Sequence, residues 1–140
     1  NVWTFRKELW DHRWWDYRFT LNLFERSLQV QVEGMSSKGW EVPESRDAKV
    51  KSMRRVLELL KNNREDNYVD RAEEELGELQ NLGGWFEDIK DTPAQKKHNR
   101  KVFVRARQIE EQEWKELWSL LEGTKKSEEY DGSDMRGWWD

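Results

Sequence analysis

The chain has 140 residues, which is enough for one domain or for one domain with a tail. Its 25 basic and 29 acidic side chains make it mildly acidic, and this balance excludes general nucleic-acid binding. Ten tryptophans compensate for a hydrophobic fraction of 35%, because a large aromatic side chain buries roughly 150–250 Å². A modest number of aliphatic residues is therefore sufficient to close a core.

The composition also excludes several kinds of site. With no cysteine the chain forms no disulfide and no thiolate-bound zinc site, and two histidines are too few for a histidine-rich metal centre. There is no run of about 18 apolar residues and no leader-like start, so we expect neither a transmembrane helix nor a signal peptide. We therefore expect a cytoplasmic protein with no cofactor and no membrane partner.

The first predicted helix covers residues 11–35, with Asp11 as its N-cap. Six apolar residues repeat at helical spacing and are expected to face the core: Trp10, Trp14, Tyr17, Leu21, Phe24 and Leu28. A second apolar set lies nearly opposite: Trp15, Phe19, Leu23 and Val30. The second set predicts the interface of a homo-oligomer, unless the C-terminal Trp138-Trp139 folds over it within one chain.

Two further helices are predicted in the middle of the chain. One covers residues 45–62, with Ser45 as its N-cap and the polar Asn62-Asn63 pair at its end. The other covers residues 68–82 and is stopped by Gly83-Gly84. The apolar stripe of the helix at 45–62 consists of Val50, Met53, Val56, Leu57 and Leu60. The stripe of the helix at 68–82 consists of Tyr68, Ala72, Leu76 and Leu79.

The fourth predicted helix has the clearest borders. Thr92 is the expected N-cap, Pro93 occupies the first helical position and Gly123 lies just past the end. Its apolar stripe consists of Val102, Phe103, Ala106, Trp114, Leu117, Leu120 and Leu121.

Together the four helices predict an all-α fold, an antiparallel helical bundle in one domain that covers residues 1–123. The polar sequence after Gly123 predicts a mobile C-terminal segment. We therefore expect residues 124–140 to form a flexible tail that ends in the Trp138-Trp139 anchor.

Charge is strongly segregated along the chain. Residues 64–91 carry three basic and ten acidic groups, whereas residues 92–109 carry six basic groups and no acidic one. The basic segment predicts a site for an anion such as a nucleotide, since arginine binds phosphate bidentately. The residues assigned to this site are Arg100, Lys101, Arg105 and Arg107, with Arg54 and Arg55 from the second helix. The alternatives are pairing with the acidic third helix or a solvated face.

Three glutamates are predicted to lie on or beside apolar stripes, namely Glu75, Glu110 and Glu113. A carboxylate in such a position has to be paired, bound to a metal or neutralised. One expectation is pairing to an arginine such as Arg26 or Arg54, and the other is a divalent metal held by acidic residues of two helices.

The metal hypothesis is linked to a family motif. The stretch Glu74-Glu75-Leu76-Gly77-Glu78 resembles the EExxE motif of the all-α nucleoside triphosphate pyrophosphatases of the MazG type. The resemblance implies Mg²⁺ bound by Glu74, Glu75 and Glu78, together with an ExxD motif on the next helix. Two candidates stand nearest to that second motif. Glu110-x-x-Glu113 is distant and ends in Glu instead of Asp, and Asp88-x-x-Asp91 is too close and lies beyond the glycines.

The tryptophans come in pairs, such as Trp14-Trp15, Trp114 with Trp118, and Trp138-Trp139. Adjacent residues on a helix cannot both face one core, so ordinary packing explains only one member of an adjacent pair. The surplus indoles favour a subunit interface, where tryptophan is enriched, or a platform on which a flat base stacks.

The opening Asp11-His12-Arg13-Trp14-Trp15-Asp16-Tyr17 and the closing Trp138-Trp139-Asp140 resemble a loose group of small all-helical proteins of tailed bacteriophages. The resemblance brings no catalytic residues. It implies a cytoplasmic phage product that binds a host component.

No catalytic motif such as GxSxG, a P-loop or HExxH occurs, so we expect a binding protein and not an enzyme. Its function would be to sequester or inhibit a host component, with an anionic nucleotide immune signal or a host protein as the partner. The alternatives are an interaction or structural module without a small-molecule ligand, and a Mg-dependent nucleoside triphosphate pyrophosphohydrolase.

Overall fold

The computed structural model describes residues 3–10, 17–37, 42–80, 91–124 and 130–139. Helices account for 81% of these residues, and none of them forms a strand, which confirms the all-α fold class. The elements are α1 (Arg6–Trp10), α2 (Tyr17–Ser37), α3 (Pro43–Glu65), α4 (Tyr68–Leu76), α5 (Pro93–Glu122) and a short 3-10 helix (Met135–Gly137). Within the described ranges, no helix has both the length and the apolar character that crossing a membrane requires.

The borders of α5 are those that its sequence predicts. Pro93 is the first helical residue, and Gly123 follows the last one with a φ of +95°. The Thr92 Oγ1 atom accepts a hydrogen bond from the Gln95 N–H (3.3 Å), and the Gln95 Oε1 atom accepts one from the Thr92 N–H (2.8 Å). This reciprocal pair satisfies backbone donors that the first turn of a helix leaves without a partner.

The predicted borders of α3 are wrong at both ends. The helix begins two residues before Ser45, because Pro43 takes the first helical position and the Arg46 N–H donates to the Val42 carbonyl oxygen (3.0 Å). Ser45 is therefore inside the first turn and is not the N-cap. The helix also continues past Asn62-Asn63 to Glu65, since the Asn63 side chain is buried on the same helix.

Helix α4 is shorter than predicted and ends at Leu76 instead of residue 82. Gly77 stops it with a φ of +96°, a conformation that side chains with a Cβ rarely adopt. Two hydrogen bonds close the end: the Gly77 N–H donates to the Glu73 carbonyl oxygen (2.7 Å), and the Leu79 N–H donates to Glu73 Oε1 (2.7 Å). The stop expected at Gly83-Gly84 lies outside the described residues.

The chain divides into two compact units: unit 1 comprises Asn1–Arg64 with Glu116–Asp140, and unit 2 comprises Glu65–Lys115. The apolar residues buried in unit 1 are Leu28, Val32, Met53, Val56, Leu59, Leu60, Leu117 and Trp138. The core of unit 2 is formed by Tyr68, Ala72, Val102, Ala106 and Ile109. The predicted division into residues 1–123 and a mobile 124–140 stays a prediction.

Four residues that were expected to face the core are exposed: Trp10, Tyr17, Leu76 and Phe103. Trp10 is 90% exposed and is the last described residue of α1. Tyr17 is the first described residue of α2, and Leu76 is the last residue of α4. Phe103 follows the buried Val102 and therefore lies about 100° around α5 from the buried side.

Trp138 anchors the C-terminal segment within unit 1. Its side chain is completely buried, and its Nε1–H donates to the Gly132 carbonyl oxygen (2.8 Å). The Gln31 amide nitrogen of α2 donates to the Trp138 carbonyl oxygen (2.8 Å). Trp139 is exposed, so the two indoles of this pair have different roles.

Gly132 lies directly against the backbone of α3. A Cβ at this position would be 2.1 Å from both the carbonyl carbon and the carbonyl oxygen of Ala48, and the φ of Gly132 is +79°. Beside it, the Ser52 hydroxyl donates to the Asp131 carbonyl oxygen (2.9 Å). Only glycine fits a backbone approach this close.

The C-terminal segment also satisfies backbone groups at the end of α5. The Asp134 N–H donates to the Leu120 carbonyl oxygen (2.9 Å), and the Thr124 N–H donates to the Ser133 hydroxyl oxygen (2.8 Å). Ser133 in turn donates from its hydroxyl to Asp131 Oδ1 (2.5 Å), and this hydrogen bond is the main reason that the pKa of Asp131 is lowered. Residues 130–139 thus cap the helix to which they are joined.

Replacing Gly132 by alanine is expected to lower the free energy of unfolding by roughly 2–4 kcal/mol, because the Cβ collides with α3 and the positive φ becomes strained. The matched control is Gly137→Ala in the same segment, where an added Cβ meets nothing within 4 Å. Urea denaturation of both variants checks this. Equal losses for the two variants would contradict the close approach of Gly132 to α3.

Candidate binding surface on helix α5

The six cations predicted to bind an anion lie on two helices of different units. Arg54 and Arg55 are on α3 in unit 1, whereas the other four are on α5 in unit 2. What each cation contacts within its own unit decides whether it is available to a ligand. The described contacts separate these cations into paired and unpaired groups.

Arg105 is held by the acidic helix α4. Its guanidinium donates to both carboxylate oxygens of Glu75, at 2.5 and 3.0 Å. The hydrogen bond from Arg105 lowers the pKa of Glu75, and the same bond raises the pKa of Arg105. Both side chains keep contact with water, so the pair fixes the arginine in place more than it stabilises the fold.

Arg55 is held even more completely. It donates from Nε and Nη2 to Glu116 (2.7 and 2.8 Å) and from Nη1 to Glu58 (2.7 Å). The Glu116 hydrogen bond is the largest cause of the raised pKa of Arg55, and it lowers the pKa of Glu116. Arg55 therefore serves to join α3 to the end of α5 within unit 1.

Other cations of α5 have no such partner among the described residues. Within the described part of the chain, no carboxylate lies within ion-pair distance of four of them: Lys96, Lys97, Arg100 and Lys101. Arg107 approaches Glu111 only to 3.9 Å, and both side chains are exposed. Such an exposed pair contributes at most a few tenths of a kcal/mol, so Arg107 also remains available.

Two apolar side chains stand among these cations. Phe103 is 50% exposed and Val104 is 49% exposed. Together with three exposed cations they follow the spacing of one helix face, which we call the basic–apolar face: Lys96, Arg100, Phe103, Val104 and Arg107. Lys97 and Lys101 extend it on the side of Val104. Sequence reasoning missed the apolar part, because it assigned Phe103 to the core.

The buried glutamate of α5 is paired as expected, but with a different arginine. Glu113 is buried and accepts a hydrogen bond from Arg71 of α4 at 2.8 Å. The expectation of Arg26 or Arg54 as the partner is therefore wrong for this residue. The prediction overlooked Arg71 because it placed the partner on the first or the second predicted helix. Glu110 is half-buried beside it.

The carboxylates of the EExxE motif do not share one helix. Glu74 and Glu75 lie on α4, but the helix ends at Leu76, and Glu78 follows the turn at Gly77. Among the residues whose positions are described, no group of three acidic or histidine side chains is arranged to hold a metal ion. The Mg²⁺ site at Glu74, Glu75, Glu78, Glu110 and Glu113 stays a hypothesis based on the motif.

The predicted oligomer interface on α2 is partly accessible in the single chain. Phe19 and Leu23 are half-buried, and Val30 is exposed. Trp15, the fourth residue of this set, lies outside the described residues, as does Trp14. The interface stays a prediction.

No protein-family model matches the chain, and no curated protein and no solved structure shows significant similarity to it. The resemblances to phage proteins and to nucleoside triphosphate pyrophosphatases thus stand on short sequence motifs.

The Arg55–Glu116 pair generates a prediction about pH. Because Arg55 lowers the pKa of Glu116 in the folded chain, the pair stabilises the fold above the ordinary glutamate pKa of about 4.3. This stability is lost as the pH falls through the lowered pKa. The difference in free energy of unfolding between the wild type and Arg55→Gln should therefore be present at neutral pH and shrink in acid.

Urea denaturation at a series of pH values measures this difference. The control is Arg107→Gln, whose exposed partner is 3.9 Å away and gives no comparable pH dependence. A difference for Arg55→Gln that stays constant across the acid range would contradict the role assigned to Glu116.

Proposed function

We propose that this chain is a non-enzymatic binding protein that docks on an acidic protein surface through the basic–apolar face of α5. The observation that carries the proposal is the pair of half-exposed apolar side chains, Phe103 and Val104, among cations that lack a partner in the described residues. Protein interfaces combine apolar side chains with charged ones. The apolar side chains supply affinity, and the charges attract and orient the partner.

The position of the cations supports an external partner. Lys96 and Lys97 lie in the first turns of α5, where the helix dipole disfavours positive charge. The first turn of α5 has no acidic residue to offset this cost. Because no described carboxylate pairs with these cations, their unfavourable interaction with the helix dipole remains in the free chain. The negative charge of an acidic partner would offset it.

The shape of the face favours a protein over a nucleotide. Its residues lie along one helix over about 16 Å, whereas small-molecule sites are concave and enclose most of the ligand. A helix or a loop with acidic and apolar residues matches such a surface. The nucleotide site predicted at Arg100, Lys101, Arg105 and Arg107 loses Arg105 to Glu75, which weakens that alternative.

The resemblance of the chain ends to small bacteriophage proteins supports a host protein as the partner. On this basis we propose a phage product that inhibits or sequesters a host component in the host cytoplasm. We also propose that the four longer helices pack as an antiparallel bundle. The chain would further self-associate through Trp15, Phe19, Leu23 and Val30, and a monomeric mass in solution would contradict this last proposal.

The docking face is tested with a synthetic amphipathic peptide that carries glutamate on one side and leucine on the other, measured by fluorescence anisotropy. The double exchange Lys96→Glu and Arg100→Glu should weaken its binding by at least about tenfold, because both attractive charges become repulsive. Phe103→Ser should weaken binding of this peptide but not of poly-glutamate, which offers no apolar side chain.

The matched control exchanges Lys7 and Lys115 for glutamate, which changes the net charge equally. Lys7 lies on α1, and Lys115 lies about 12 Å along α5 beyond Arg107, the last residue of the face. If the control weakened binding as much as the Lys96/Arg100 variant, the attraction would be general and the face would not be the site. The nucleotide alternative would be supported if nucleotides stabilised the wild-type fold and the Lys96/Arg100 exchange abolished this stabilisation.

A further inference from the structure

We infer that a cavity on α3 in unit 1 binds a small phosphate-bearing polyanion. The cavity has a volume of about 380 Å³ and is lined by Ser36, Arg46, Asp47, Val50, Lys51 and Arg54. Ser36 belongs to the last turn of α2, and the other five residues belong to the first half of α3. This site is separate from the basic–apolar face and does not depend on it.

The charge of the lining favours an anion. Three cationic side chains stand against one carboxylate, and that carboxylate is engaged: Arg46 Nε lies 3.2 Å from Asp47 Oδ1. Among the described residues, neither Lys51 nor Arg54 has a carboxylate within ion-pair distance. The cavity thus retains two cations that no described acidic group neutralises.

These cations have no role in the apolar core. Arg46, Val50 and Arg54 follow one another at a spacing of four residues, whereas the buried residues Val56 and Leu59 lie on the other side of α3. Lys51 and Arg54 are exposed. Arg46 stands near the positive end of the helix dipole, which raises the electrostatic potential of the cavity further.

The lining also indicates the class of ligand. The volume is at the lower end of the roughly 300–1,000 Å³ of small-molecule sites, but Val50 is the one apolar side chain in the lining described. Recognition therefore rests on charge and hydrogen bonds, and arginine, lysine and a serine hydroxyl together suit phosphate oxygens. No aromatic side chain is among the described residues of that lining, so we expect the phosphate groups to carry recognition. Pyrophosphate or a phosphorylated polyol fits this chemistry.

The test is isothermal titration calorimetry of the full chain with pyrophosphate in about 0.15 M salt, which screens weak attraction to exposed charges. We expect saturable binding that the double exchange Lys51→Gln and Arg54→Gln weakens by at least about tenfold. Asp47→Asn should strengthen binding, because it removes the negative charge that the described lining carries. Adenosine diphosphate should bind about as tightly as pyrophosphate.

The control is Lys96→Gln with Arg100→Gln, which removes two cations from the basic–apolar face and should leave pyrophosphate binding unchanged. No heat of binding up to about 10 mM pyrophosphate, or equal losses in the two double variants, would overturn the inference. Much tighter binding of adenosine diphosphate would overturn recognition through phosphate alone. The peptide experiment tests the basic–apolar face and the pyrophosphate experiment tests the cavity, so a negative result in one can be distinguished from a negative result in the other.

Discussion

Four arginines bridge helices to glutamates, in the pairs Glu25–Arg64, Arg55–Glu116, Arg71–Glu113 and Glu75–Arg105. The chain depends most on the pairs whose glutamate is buried, because its hydrophobic fraction is 35% and its charged fraction is 39%, which leaves each unit with a small apolar core. In two pairs the glutamate side chain is only 10% exposed. A carboxylate buried to this extent costs several kcal/mol unless a cation and hydrogen bonds accompany it, so the arginines are needed to keep these helix faces together.

The same pairs determine which cations on the surface are available to bind other molecules. Arg55 and Arg105 have their donors directed at glutamates, so they contribute little to attracting a ligand. Cations that no described carboxylate engages stand close together in two groups, one on the solvent side of α5 and one around the cavity on α3. The first group is mixed with apolar side chains and the second with a hydroxyl. From that difference we propose a protein partner for the group on α5 and a phosphate-bearing ligand for the group around the cavity.

Local signals in the sequence were sufficient for part of this structure. The Thr92-Pro93 start and the Gly123 end predict α5 correctly, because helix caps depend on residues adjacent in the chain. Gly77 was passed over in favour of the Gly83-Gly84 pair, although a single glycine with a positive φ is enough to end a helix. The partner of Glu113 could not be predicted, because the sequence does not show which side of α4 faces α5. That relative rotation, or phase, of the two helices decides whether Arg71 reaches Glu113. The exposure of Phe103 depends on that same phase.

The most direct test of the account is a double-mutant cycle on Arg71 and Glu113, each exchanged for alanine singly and together, with urea denaturation as the readout. The account predicts a coupling energy of about 1–3 kcal/mol, because Glu113 is buried and Arg71 supplies its cation. The exposed pair Arg107–Glu111 should give less than about 0.5 kcal/mol in the same experiment. A coupling energy near zero for Arg71 and Glu113 would contradict the claim that arginine–glutamate pairs between helices hold this fold together.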